Sequence, residues 1–104
     1  MALAKVEQGC VADKFVEIGR VGKSRIYVAA SDDGPRQLPS TAHSNPRDCF
    51  LFVFQGSLEL DLVATGEKVV VGPGEWITIS AGTQHRALFR EMTVYLAVVD
   101  EEGL

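Results

Sequence analysis

Apolar and polar positions alternate along most of the chain with a period of two. In SLELDLV (57–63), Leu58, Leu60 and Leu62 fall on one side and Glu59 and Asp61 on the other, as a strand with one buried face requires. Similar short runs recur from about residue 14 to the end: KFVEI at 14–18, SRIYVAA at 24–30, CFLFVFQ at 49–55, KVVV at 68–71, EWITI at 75–79, HRALF at 85–89 and a last run over 92–99. Turn formers separate them, namely GRVG at 19–22, SDDGP at 31–35, ATGE at 64–67, GPG at 72–74 and SAGTQ at 80–84. No stretch carries the apolar period of a helix between caps. The pattern predicts an all-β chain of short strands, folded as a sandwich or barrel.

One run departs from simple alternation. Phe50, Phe52 and Phe54 share one face of their strand, while Cys49, Leu51 and Val53 share the other. A strand apolar on both faces has to be covered on both. The barrel interior covers one side. A second sheet or a second subunit has to cover the other, and so small a barrel has little else to offer. The expectation is a homodimer whose interface uses part of the phenylalanine face.

Composition narrows the class. The chain's 104 residues have room for one domain, and 46% hydrophobic with 23% charged residues describes an ordinary globular chain. A net charge of −4 gives no basic field, so nucleic acid is not an expected partner. No apolar run reaches the roughly 20 residues a bilayer span needs, so no membrane association is expected. The opening MALAKVEQGC lacks the apolar block of a secretory signal, which makes the cytoplasm the expected address. In that reducing compartment Cys10 and Cys49 read as independent thiols.

The segment GEWITISAGTQH (74–85) resembles the second motif of the cupin family: glycine, an acidic residue, an alternating strand, proline, any residue, glycine, two residues and histidine. Gly74, Glu75, Gly82 and His85 fall at matching positions, with Ser80 where proline is usual. The first family motif, His-x-His, three residues, Glu, six residues and Gly, can be anchored on Gly56. It then places His43 and Asn45 at the two histidines and Cys49 at the glutamate. The resemblance spans roughly residues 36–99. It implies one double-stranded β-helix (jelly-roll) domain over residues 1–104, with N-terminal strands at 14–30 and the barrel at about 36–99. It also implies an interior pocket, and in members with all four ligands a divalent transition metal.

Two imidazoles and a thiolate are a legitimate donor set for zinc or copper, whereas an iron or manganese site of the usual family kind wants the carboxylate that is missing. The expected metal site is therefore His43, Cys49 and His85, with Asn45 in the fourth place or hydrogen-bonded to a bound water. Three functional readings follow. The first is a barrel that binds a small molecule in its interior, through a metal or without one. The second is a metal-dependent oxygenase, isomerase or lyase acting on a small organic substrate. The third is a metal-free barrel used as a dimeric interaction module. Cys49 can also be read as a nucleophile activated by His43 or His85 through a lowered pKa. Arg36, Arg47, Arg86 and Arg90 could meet an anionic ligand at the mouth, or sit on a solvated surface.

Overall fold

The computed structural model describes residues 15–31 and 44–100. Within them the chain forms eight strands: β1 (Phe15–Val21), β2 (Ser24–Ser31), β3 (Cys49–Gln55), β4 (Leu58–Leu62), β5 (Glu67–Val71), β6 (Trp76–Ile79), β7 (His85–Leu88) and β8 (Thr93–Asp100). All neighbouring pairs are antiparallel. They build a five-stranded sheet in the order β1-β2-β8-β3-β6 and a three-stranded sheet in the order β5-β4-β7. The described residues contain no helix, and so none long and apolar enough to cross a membrane. This is the jelly-roll arrangement that the sequence predicts.

The period-two pattern decides which side chains meet. Leu58 and Leu60 of β4 are buried, and Leu51 and Val53 of β3 face them from the larger sheet with Tyr27, Ile79, Ala97 and Val99. A fully buried leucine or valine contributes about 2 kcal/mol relative to leaving it in water, so this inner seam is what joins the sheets. Glu59 of β4 lies on the opposite face, where its carboxylate accepts a hydrogen bond from Arg90 Nε at 2.8 Å.

Two details differ from the sequence expectation. The chain does not break at Gly19. Strand β1 runs on to Val21, its register with β2 slips between Glu17 and Gly19, and the turn comes at Gly22 and Lys23. Ile18 is the extra residue at this slip, and Gly19 stays in the ladder opposite Ile26. Leu88 was expected to point outward. It alternates away from His85 and Ala87, yet it is buried.

The corner between β3 and β4 is the tightest place in the chain. Gly56 has φ of 83°, and a Cβ there would fall on the Met92 carbonyl oxygen and 2.6 Å from Thr93 Oγ1. Thr93 is fully buried, and its hydroxyl accepts from Ser57 N–H at 3.2 Å while lying 2.9 Å from the Ser57 carbonyl oxygen. A left-handed backbone and a direct collision therefore coincide at Gly56. We expect Gly56→Ala to lose about 2 kcal/mol or more in urea unfolding, and Thr93→Val about 1–3 kcal/mol because Ser57 loses its partner. A Gly66→Ala control, with open space around its Cβ, pays only for its φ of 70°.

Candidate functional site

Three of the four sequence-predicted ligand positions come together. Cys49 is the first residue of β3, in register with Ile79 at the end of β6. His85 is the first residue of β7, opposite Leu62 of β4. Asn45 lies in the loop that leads into β3, and that loop is fastened to the turn between β6 and β7 by two bonds. The Asn45 carbonyl accepts from Gly82 N–H at 2.8 Å, and the Asp48 carboxylate accepts from Ala81 N–H at 2.8 Å. Asn45, Cys49 and His85 consequently line one cavity of about 270 Å³ between the two sheets. His43 lies outside the described residues.

Alternation sets the rest of the lining. Strand alternation puts Ala87 and Phe89 on the same side as His85, and the Phe89 ring stacks on Tyr95 of β8 with centroids 5.5 Å apart. Leu51, Leu58, Leu60 and Ala97 complete an apolar wall. Trp76, whose direction the sequence leaves open, points out of the barrel and is 63% exposed. The described arginines stay clear of the cavity. Arg47 borders a groove on the outer surface beside Phe50 and Thr78, Arg86 is exposed on the outer face of β7, and Arg90 pairs with Glu59. Arg36 lies outside the described residues.

The chemistry of each polar group follows from its surroundings. His85 is buried, and its Nδ1 lies 2.9 Å from the Thr83 carbonyl oxygen. A carbonyl only accepts, so Nδ1 carries a proton there, and Nε2 is the atom that can accept in that tautomer. Cys49 is a free, buried thiol, and desolvation pushes its pKa up to about 11. That shift runs opposite to the one a thiolate nucleophile needs, so the activated-thiol reading loses its physical basis in the metal-free chain. Cys10 lies outside the described residues. Among the described residues, no group of three or more His, Cys, Asp or Glu side chains is placed to hold a metal ion.

Asp48 and Glu75 are structural residues that a search for ligands overlooks. The Glu75 carboxylate accepts from Gly72 N–H at 2.7 Å, and its carbonyl accepts from Val53 N–H at 3.0 Å. The acidic position of the second motif thus shapes the turn before β6. The Asp48 bond had no local signal, because its donor, Ala81, lies 33 residues further along the chain.

No protein-family model and no curated protein matches the sequence. Solved structures do match the fold. A cupin-2 domain protein from Shewanella frigidimarina superposes with a TM-score of 0.73 at 14% identity, covering 84% of this chain and 79% of its own. A cupin superfamily protein from Desulfitobacterium hafniense gives 0.70 at 13% identity, covering 94% of this chain and 84% of its own. The chain has the small jelly-roll fold of these cupins. A Streptococcus pyogenes protein of unknown function is similar at 25% identity and a TM-score of 0.62, covering 85% of this chain and 75% of its own. At these identities the likeness establishes the cupin architecture, and the site has to be argued from its own residues.

The raised thiol pKa has a testable sign. Between about pH 9 and pH 11 the folded, metal-free chain holds a proton on Cys49 that the unfolded chain releases. Stability from this group is complete below pH 9 and falls as pH rises towards 11, by on the order of 2 kcal/mol. In a Cys10→Ser background, urea unfolding across this range should show that decline, and Cys49→Ala should remove its share. At pH 8 an aromatic disulfide reagent should modify folded Cys49 roughly a hundredfold more slowly than the unfolded chain.

Proposed function

We propose that this jelly-roll domain binds a small organic molecule inside its barrel, held at the polar end of the cavity. The reading is carried by the convergence of Asn45, Cys49 and His85 at one end of an otherwise apolar 270 Å³ space. Concave, mostly apolar cavities with a few convergent polar groups are the ordinary form of a ligand site.

The metal reading takes Cys49 and His85 at this end as ligands, with Asn45 completing the set or bonding a bound water and His43, outside the described residues, as the further ligand expected from the sequence. His85 supports it: its Nδ1–H is engaged by the Thr83 carbonyl, the arrangement that orients Nε2 in metal-bound histidines. Cys49 binds a metal only by losing its proton, so occupancy should rise with pH. Nitrogen and sulfur donors favour zinc or copper over iron or manganese. When bound, such a metal supplies a Lewis-acid centre with an open position, the setting in which turnover of the ligand would occur. Elemental analysis of protein purified without chelators or a histidine tag should give about one equivalent of zinc or copper, and His85→Ala should lose it. A metal-free protein whose melting temperature ignores both ions ends the metal reading and leaves a metal-free binding barrel.

We further propose that two copies pair through the outer face of the five-stranded sheet, in a cytoplasmic setting. Val28, Leu96, Phe52 and Trp76 form a row across four adjacent strands in direct register. Phe52 stacks on Trp76 at 6.1 Å and meets Phe54 edge-on at 5.1 Å, while Phe54 is 52% and Trp76 63% exposed. A second copy offers the same aromatic row, which suits a two-fold interface. Sedimentation equilibrium should give the mass of two chains, and a Phe54→Lys, Trp76→Lys double variant the mass of one with unchanged circular dichroism. A single-chain mass for the unmodified protein at high concentration overturns the pairing.

A further inference from the structure

The cavity is polarised along its length. His85, Ala87 and Phe89 follow one another inward from β7, so the histidine and the phenylalanine sit about 13 Å apart along the backbone at the rise of a strand. On β8, Val99 is in register with Cys49 and Tyr95 with Val53, four residues further on. The groups Asn45, Cys49 and His85 thus gather at one end, and the stacked Phe89–Tyr95 pair closes on the other. Among the described residues that line the space there is no lysine, arginine, aspartate or glutamate.

From this we infer that the ligand is an uncharged, elongated and mainly apolar molecule with a single hydrogen-bonding end. Its aromatic or alkyl body lies against Phe89 and Tyr95, and its hydroxyl, carbonyl or amide head meets His85, Asn45 and Cys49. The inference deepens the reading of the cavity as a ligand site and rests on it. The volume of 270 Å³ equals that of about nine waters in the liquid, which corresponds to a molecule of about ten non-hydrogen atoms.

The charge argument is one of desolvation. A carboxylate, phosphate or ammonium brought between the sheets gives up its water, and only a fixed opposite charge restores that loss. The described arginines that could provide one face elsewhere: Arg90 lies against Glu59, Arg86 is on the outer face and Arg47 borders the outer groove. A neutral head loses only ordinary hydrogen bonds to water, and the amide, thiol and imidazole replace them.

The test compares two probes of one shape, 2-phenylethanol and phenylacetate. Both are titrated by amide chemical shifts into the full chain as purified and again after chelator treatment. The expected result is 2-phenylethanol binding at least tenfold more tightly than phenylacetate after chelator treatment, where no metal supplies a positive charge, with that binding lost in Ala87→Phe. Circular dichroism checks that this variant folds, and Ala87→Leu replaces it where it does not. Phenylacetate gaining only in the chain as purified reports the charge of a bound metal, whereas phenylacetate binding as well or better in the chelator-treated chain overturns the inference. If that binding is lost in the Ala87 variant, the cavity stands as a ligand site and only the neutral class is wrong. Binding of neither probe at millimolar concentration, or binding that the Ala87 variants leave unchanged, overturns the inference and the reading beneath it.

Discussion

Strand β3 has to satisfy two apolar environments at once, and much of the molecule is arranged around that demand. Its inner residues, Cys49, Leu51 and Val53, are buried against the three-stranded sheet. Its outer residues, Phe50, Phe52 and Phe54, lie on the outer face of the larger sheet, with β8 on one side and the edge strand β6 on the other. Pairing on both sides satisfies the backbone of β3, whereas covering its outer face takes a second layer, and Phe54 on that face is still 52% exposed. With β8 on one side and β6 on the other, both ladders of β3 are paired. Cavity and outer aromatic row are therefore opposite surfaces of one element.

The site follows from how β3 begins. Its first residue carries the thiol, and the preceding loop is clasped to the turn that delivers His85. Neither loop places its polar group alone. The Asp48 carboxylate and the Asn45 carbonyl are held by backbone donors of Ala81 and Gly82, and that anchoring fixes the spacing between the thiol and the imidazole. Burial then acts on the two groups differently. Cys49 is kept as a thiol, while His85 keeps a defined tautomer through Thr83.

The strands were legible because burial imposes a period of two, and β4 shows it most plainly in its alternation of Leu58, Leu60 and Leu62 with Glu59 and Asp61. The placement of Cys49 and His85 was legible from motif spacing, since both are first residues of strands whose ends lie together. The chain past Gly19 was misread because a glycine can stay in a strand's ladder as well as break it, and only the partner strand decides. The direction of Trp76 and the burial of Leu88 depend on neighbours from other strands. The proton affinity of Cys49 was also hidden, because a thiol's pKa is set by the water it loses on folding and not by the residues beside it in sequence. The role of His43 falls outside the described residues.

The clasp between the 44–48 loop and the 80–84 turn also bears on how such a barrel can diversify. Because the 44–48 loop and the 80–84 turn are tied to each other, the separation of the thiol and the imidazole is set by the clasp itself. The turn at 80–84 has little latitude: its amides at Ala81 and Gly82 are committed, and one inserted residue would rotate His85 to the opposite side of its strand. Variation in what the pocket accepts is thus channelled into the small side chains of the wall, while the turn stays at constant length.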